Sequence, residues 1–344
     1  MPTALITGVS GQDGAYLVQE LLGNGYRVVG THRRTSDTNF WRLREVLGDD
    51  LAGVTFLRCD ITDLSAVVRL IETTQPDEIY NLAAQTHVHD SFELPIVTMQ
   101  STGFGPLCIL EAIRLTGAQV KLFQASSAEM FGGSQSTQQS ETTPFNPRSP
   151  YAAAKVFAHH IAKNYREAYG IFVSTGILFN HESPLRGLTF VTRKITDAVA
   201  RIERGILPEL ELGNLDALRD WGYAPEYTRG FCKTLQADAP DDFIFASGHS
   251  TTVRDFASIT FRAAGLDLEW QGHGDGEVAY CSELGRVVVR VNPAYRRPTE
   301  VDFLCGDYRK AEAKLNWRPE TPLETICEIM LERDRIRVER GEYT

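Results

Sequence analysis

The first half of the chain alternates short apolar runs with longer stretches in which apolar residues recur at helical spacing. Thr3 to Thr7 is the first run, and it breaks at Gly8-Val9-Ser10-Gly11-Gln12-Asp13-Gly14. Tyr16, Leu17, Leu21 and Leu22 then fall on one helical face. Tyr26 to Thr31, Val54 to Leu57 and Glu78 to Leu82 read as three more strands, and Val120, Leu122 and Phe123 begin a fifth. Helical patterns over Leu64 to Thr73 and Ile96 to Leu115 separate them. Strands that alternate with helices predict a parallel sheet joined by right-handed crossovers.

In such a sheet ligands bind at the carboxyl ends of the strands, and the polar residues of this chain gather there. The glycine turn follows the first strand and opens the first helix, the setting in which backbone can approach a pyrophosphate and the helix dipole favours an anion. The second strand ends in His32-Arg33-Arg34-Thr35-Ser36. An acidic residue usually marks an NAD site at this point. Arg33 and Arg34 with the hydroxyls of Thr35 and Ser36 suit a 2′-phosphate instead, so the expected cofactor is NADP. Asp60 and Ile61 end the third strand, where an adenine would lie, and Leu82-Ala83-Ala84-Gln85 leave space beside the fourth. The fifth strand delivers Ser127 and Glu129.

Tyr151 and Lys155 are four residues apart, on one face of the next expected helix. An ammonium beside a phenol favours the phenolate and lowers a pKa that starts near ~10. A Tyr tuned in this way can take a proton from a substrate hydroxyl and return it. Taken alone, such a pair is ordinary surface; the glycine turn ahead of it gives it chemical meaning.

Composition narrows the setting. With 344 residues the chain can bury more than one core. The formal charge, 35 − 45 = −10, argues against general affinity for nucleic acid or an anionic membrane. Anionic ligands then need local cations. No apolar run is expected to reach membrane-spanning length, and the N-terminus reads straight into a strand. The six cysteines are scattered without a CxxC pair, which suits reduced thiols in the cytoplasm and no metal site.

The GxxGxxG spacing resembles the extended short-chain dehydrogenase/reductases. Gly8 to Gly14, Arg33-Arg34, Ala125 to Gly132 and Tyr151 to Lys155 together resemble the GDP-mannose 4,6-dehydratase family. So do Phe179 to Pro184, Phe190 to Lys194, Leu212 to Asp216, Arg219 to Gly222 and Arg297 to Val301, in that family's order. The resemblance implies an α/β fold: a Rossmann-like doubly wound parallel sheet over residues 1–180, with later segments returning to it, and a smaller α/β substrate domain mainly over 181–344. It implies that Asn180, Val191, Lys194, Arg219, Arg297 and Glu300 line a GDP-sugar site and that His181 and Arg186 lie near the cofactor. A homodimer or homotetramer is implied too, with the Phe40-Trp41 pair in the segment after Arg34 as an expected interface.

Several positions depart from the family pattern. Ser127-Ala128-Glu129 stands where the family usually reads Thr-Ser-Glu, so Ala128 lacks a polar group. Leu185-Arg186 replaces a double arginine, and Val97 replaces a Tyr that contacts cofactor. The reaction implied is oxidation at C4 with Tyr151 as base, loss of water across C5 and C6 through Glu129, and hydride return to C6. A dehydratase for another GDP-sugar such as a GDP-heptose, a nucleotide-sugar reductase or epimerase, and a non-catalytic NADP-binding regulator are the alternatives.

Overall fold

The computed structural model describes residues 1–34, 39–296 and 298–342. Among these, seven parallel strands form one sheet in the order β10-β6-β5-β4-β1-β2-β3. They are β1 (Thr3–Thr7), β2 (Arg27–His32), β3 (Val54–Arg58), β4 (Glu78–Asn81), β5 (Lys121–Ser127), β6 (Val173–Leu178) and β10 (Asp242–Phe245). The first five lie within a residue or two of the runs read from sequence. The sheet is wound on both faces, which explains why its strands read as continuous apolar runs. Ala4 and Ile6 face the helices Gln12–Gly23 and Ala224–Gln236, in a core that also holds Tyr80, Phe123 and Phe231. Leu5, one position along, points to the other side and packs with Val67, Ile109 and Ala162.

Two smaller sheets follow. β7 (Asn180–Glu182), β9 (Leu218–Tyr223) and β11 (Ser250–Thr252) form one, in the order β11-β9-β7. β8 (Leu210–Leu212), β12 (Leu268–Gln271), β13 (Val278–Cys281) and β14 (Arg286–Val291) form the other. The helices Val191–Ile202, Val253–Ala263 and Leu323–Arg340 close a separate apolar core around them. Within it Arg193 is fully buried, and its Nε donates to Asp334 at 2.9 Å. Asp334 also meets the buried Arg337 at 3.1 Å, so its removal would take a carboxylate from two buried guanidinium groups, a change that typically costs about 3–5 kcal/mol.

The apolar run before β5 differs from expectation. Pro95–Thr116 has the length and composition to cross a bilayer, but half of it is buried within this fold. It packs on the helices Leu64–Thr74 and Pro150–Tyr169 and contains a π-helical turn, Met99–Phe104. Gly105 permits the close packing, since a Cβ there would lie 2.4 Å from Ile61 Cδ1.

Helix Pro150–Tyr169 is tied to the sheet by polar contacts as well. Ser149 caps it, accepting from the Ala152 N–H at 3.1 Å. Two turns on, His159 Nδ1 lies 3.1 Å from Ser126 Oγ and 3.2 Å from Thr175 Oγ1. Thr175 donates to Asp242 at 2.8 Å, and Arg166 to the same carboxylate oxygen at 2.6 Å. Burial, offset in part by Asp242, pushes the imidazole pKa down to about 4. Because the unfolded chain takes up this proton near 6.5 and the folded chain does not, stability falls as pH drops from about 6.5 towards 4. The His159→Asn variant, which keeps a donor near Nδ1, is expected to lose less stability over that interval than the parent. The difference should be on the order of 3 kcal/mol at most, read from urea midpoints at pH 7 and pH 4.5.

Candidate active site

The glycine turn is shaped by close backbone approaches. Gly8 has φ of +72°, and a Cβ there would lie 2.9 Å from the Ala83 nitrogen. At Gly14 a Cβ would lie 2.6 Å from the Val9 carbonyl oxygen. A Cβ at Gly11 would meet only the Gly8 carbonyl oxygen, at 3.3 Å. Two glycines thus serve the turn and the helix packing. Gly11, at the N-cap of helix Gln12–Gly23, keeps the first turn open to a ligand whose phosphate would find unpaired N–H groups there.

Gln12 and Asp13 reach across to the second half of the chain. Gln12 donates to Asp13 Oδ1 at 3.1 Å and to the His181 carbonyl at 3.0 Å, and it accepts from Ser183 Oγ at 2.8 Å. Both carboxylate oxygens of Asp13 lie 3.0 Å from His181 Nε2, while His181 Nδ1 sits 2.7 Å from the Phe179 carbonyl. Burial opposes ionisation of this pair, yet each stabilises the other's charge. Asp13 is held below the usual carboxylate range, with help from Gln12 and Arg186, and His181 is raised. The His181 ring is stacked on Tyr227 at 4.6 Å.

Ser127 ends β5, and its Oγ accepts from the Glu129 N–H at 3.2 Å. Tyr151 is buried at the head of the following helix and hydrogen-bonds Ser127, with Glu129, Arg186 and Asp13 close enough to act on its charge. The structure therefore brings Ser127, Glu129, Tyr151, Asp13, His181 and Arg186 together. Lys155 donates to the Ala125 carbonyl at 2.8 Å, with Nζ 5.8 Å from the Tyr151 ring centre. Here the expected tuning is not what the protein alone produces. Burial pushes Tyr151 up to about 12, and Lys155 down to about 8. Desolvation favours the neutral form of both and outweighs their neighbours.

Around this centre, Arg33 and Arg34 line a cavity of about 530 Å³ with Arg58, Cys59, Asp60 and Ala66. Asp60 accepts from the Thr62 N–H at 3.0 Å, and Ile61 is buried. Leu82, Ala83 and Ala84 run past Gly8, and the Gln85 N–H donates to Thr102 Oγ1 at 3.1 Å. These groups fit a dinucleotide. Thr35, Ser36 and Arg297 lie outside the described residues. Val97 is exposed on the helical surface, and Ala128 is buried among apolar side chains.

The expected sugar-nucleotide residues sit in the second half. Asn180 starts β7 opposite Trp221, and Arg219 lies on β9, its Nη1 2.9 Å from the Leu218 carbonyl. Lys194 places Nζ 3.5 Å from the Tyr295 ring centre, on the helix that Val191 begins. Arg186 lies 3.8 Å over the Phe190 ring, with Nε 3.2 Å from Glu182. Glu300 lines a cavity of about 410 Å³ with Arg148, Asp302, Phe303 and the loop from Gly132 to Thr137. That loop begins three residues after Glu129 in the chain.

Sequence reading missed Arg42, Arg58 and Arg148. Arg42 donates to the Leu185 carbonyl at 2.8 Å and lies 4.4 Å over Trp41. Phe40 stacks on Phe56 at 4.3 Å. The aromatic pair read as an interface thus has partners within the chain.

The family model described as GDP-mannose 4,6 dehydratase matches residues 5–330. A GDP-mannose 4,6-dehydratase of Sinorhizobium fredii (strain HH103) is 50% identical over 335 residues, covering 96% of this chain and 95% of its own. The Homo sapiens GDP-mannose 4,6 dehydratase is 46% identical over 337 residues, covering 96% and 91%. In fold, the chain resembles a Thermotoga maritima UDP-glucose 4-epimerase, with a TM-score of 0.80 at 22% identity over 98% of this chain and 99% of that one. It likewise resembles the Pseudomonas aeruginosa RMD complexed with NADPH, with a TM-score of 0.76 at 20% identity over 98% and 100%. Matched over nearly its whole length, the chain belongs to the GDP-mannose 4,6-dehydratase family.

Proposed function

We propose that this hydro-lyase converts GDP-mannose to GDP-4-keto-6-deoxymannose with NADP as its cofactor. The observation that carries the reading is the convergence of Ser127, Glu129 and Tyr151 at the end of β5, in a chain of this family. The turn Gly8–Gly14 would hold the pyrophosphate. Arg33 and Arg34 would hold a 2′-phosphate, and Lys155 the nearby ribose. A nicotinamide held there would supply reversible hydride exchange with the sugar and, in its oxidised form, a positive charge at this sheet edge.

The protein's own groups move the protons. Tyr151 accepts the O4 proton while Ser127 hydrogen-bonds the same oxygen. That transfer needs the phenolate, so the positive charge supplied on binding and the Lys155 ammonium must offset the burial that holds Tyr151 neutral. The C4 ketone acidifies C5–H, which Glu129 removes. Because Ala128 has no polar atom, Glu129 also gives the proton to the C6 hydroxyl as it leaves. Hydride return at C6 leaves an enolate whose C5 takes a proton from solvent, and Tyr151 gives up the O4 proton to solvent, so Glu129 and Tyr151 both end as they began. Residues 181–344 supply most of the sugar-nucleotide side, through Asn180 at their border, Val191, Lys194, Arg219, Arg297 and Glu300.

We infer that the chain works as a homo-oligomer, at least a dimer. Ile96 is 70% exposed, and Leu94, Val97 and Phe104 are also exposed nearby. Residues 95–110 carry no charged side chain in a chain of net charge −10, so two copies can meet there without like-charge repulsion. The buried thiols suit a reducing compartment such as the cytoplasm.

Two outcomes are expected. Glu129→Gln should oxidise C4 of GDP-mannose but stall before water is lost, so NADPH absorbance persists and solvent deuterium no longer enters at C5. Tyr151→Phe should suppress the first absorbance change itself. Each loss should be roughly 10²–10⁴-fold. Water loss by Glu129→Gln at the parent rate would remove Glu129 from its role. Conversion of a GDP-heptose but not GDP-mannose by the parent would change the substrate and keep the mechanism. For assembly, Ile96→Glu combined with Phe104→Glu should lower the light-scattering mass to that of a monomer. An unchanged mass would place the contact elsewhere.

A further inference from the structure

β2 and β3 run parallel, with His32 directly beside Arg58. Arg33 and Arg34 continue from the end of one strand and Arg58 ends the other. All three are exposed and line the same cavity of about 530 Å³. Asp60 is the acidic residue on its wall, and its Oδ1 is engaged by the Thr62 N–H and by Thr62 Oγ1 at 2.8 Å. Cys59 closes the base, its N–H donating to the His32 carbonyl at 3.1 Å.

Three guanidinium groups around one cavity are unusual in a chain with ten more acidic than basic residues. Several arginines elsewhere are matched by carboxylates: Arg166 by Asp242, Arg193 by Asp334, Arg254 by Glu277 and Arg335 by Glu203. Among the described residues, Arg33, Arg34 and Arg58 have no such carboxylate partner. Holding three like charges together costs free energy unless a multiply charged anion joins them. A phosphate monoester carries nearly two charges and three acceptor oxygens, and guanidinium forks match it.

We propose that Arg58 is a specificity-determining residue that grips the 2′-phosphate of the cofactor from the β3 side, opposite Arg33 and Arg34. This rests on the NADP reading above and adds to it a residue from a separate strand. Because β3 is anchored to β2 by the sheet ladder, the backbone that carries Arg58 is fixed beside the end of β2. A cofactor lacking the 2′-phosphate gains nothing from it. Arg58 therefore raises discrimination between NADP and NAD without helping either dinucleotide through its shared parts.

The test measures equilibrium binding to the full-length protein by calorimetry, with NADP, NAD, 2′-AMP, 5′-AMP and inorganic phosphate as probes. The parent is expected to bind NADP at least tenfold more tightly than NAD, and 2′-AMP more tightly than 5′-AMP. Arg58→Ala should weaken NADP and 2′-AMP at least tenfold and leave NAD and 5′-AMP within twofold, which also reports an intact fold. Arg58→Lys should restore part of the loss, because it returns the charge without the planar fork. If Arg58→Ala leaves the parent's NADP preference unchanged, the proposal is overturned while the NADP reading stands. If the parent itself binds NADP and NAD equally, both fall. If inorganic phosphate displaces 5′-AMP as readily as 2′-AMP, the cavity is a general anion site and the 2′-phosphate assignment is wrong.

Discussion

The site depends first on a carboxylate that two distant parts of the chain share. Asp13 begins the first helix, and His181 lies 168 residues later on β7. Their pairing places a charge at the mouth of the nucleotide turn, in surroundings where a lone carboxylate would tend to protonate. Gln12 fixes the carboxylate, and Ser183 fixes Gln12. Once this contact forms, β7 and the helix Gln12–Gly23 are held edge to end. Tyr151, which senses Asp13, Arg186 and Glu129, then sits where the two halves of the chain meet. Loss of the pair would misplace several groups together, since residues in one network do not act additively.

That arrangement explains why Tyr151 and Lys155 are poorly suited to chemistry in the protein alone. Both are buried, and burial penalises each charged form. Lys155 spends a donor on the Ala125 carbonyl, which fixes its amine beside the strand that carries Ser127. A phenol held near 12 is a poor base at neutral pH. The same low-dielectric setting makes any added positive charge effective at short range. A positive charge placed beside this phenol on ligand binding would therefore favour the phenolate strongly.

Much of this was legible in the sequence because period and position carry the information. Strand runs of four to six residues, a glycine turn between strand and helix, and the Tyr151–Lys155 spacing all report local geometry. The first five strands, and the meeting of Ser127, Glu129 and Tyr151, follow from them. What the sequence does not report depends on tertiary partners. The run Pro95–Thr116 is apolar because half of it faces helices, and its outer face remains exposed. Phe40 and Trp41 pair with Phe56, Arg42 and Arg337, the last almost 300 residues away. Spacing puts Lys155 near Tyr151 but does not report desolvation, which pushes the phenol up in the protein alone. Arg58 and Arg148 carried no local signal; each matters through a cavity made by several segments.

The distribution of charge follows from the same division. An excess of acidic residues favours solubility and repels other anions from most of the surface. A ligand with phosphates must then be drawn to particular places, and the chain separates its cations accordingly. At the edge of the large sheet Arg33, Arg34 and Arg58 make no ion pair among the described residues, although Asp60 lines the same cavity. Arg193 and Arg337 are buried against Asp334 and Glu45, and the half-buried Arg166 pairs with Asp242, where they hold elements together. A carboxylate partner thus marks several structural cations of this fold, which neither net charge nor the spacing of basic residues reveals.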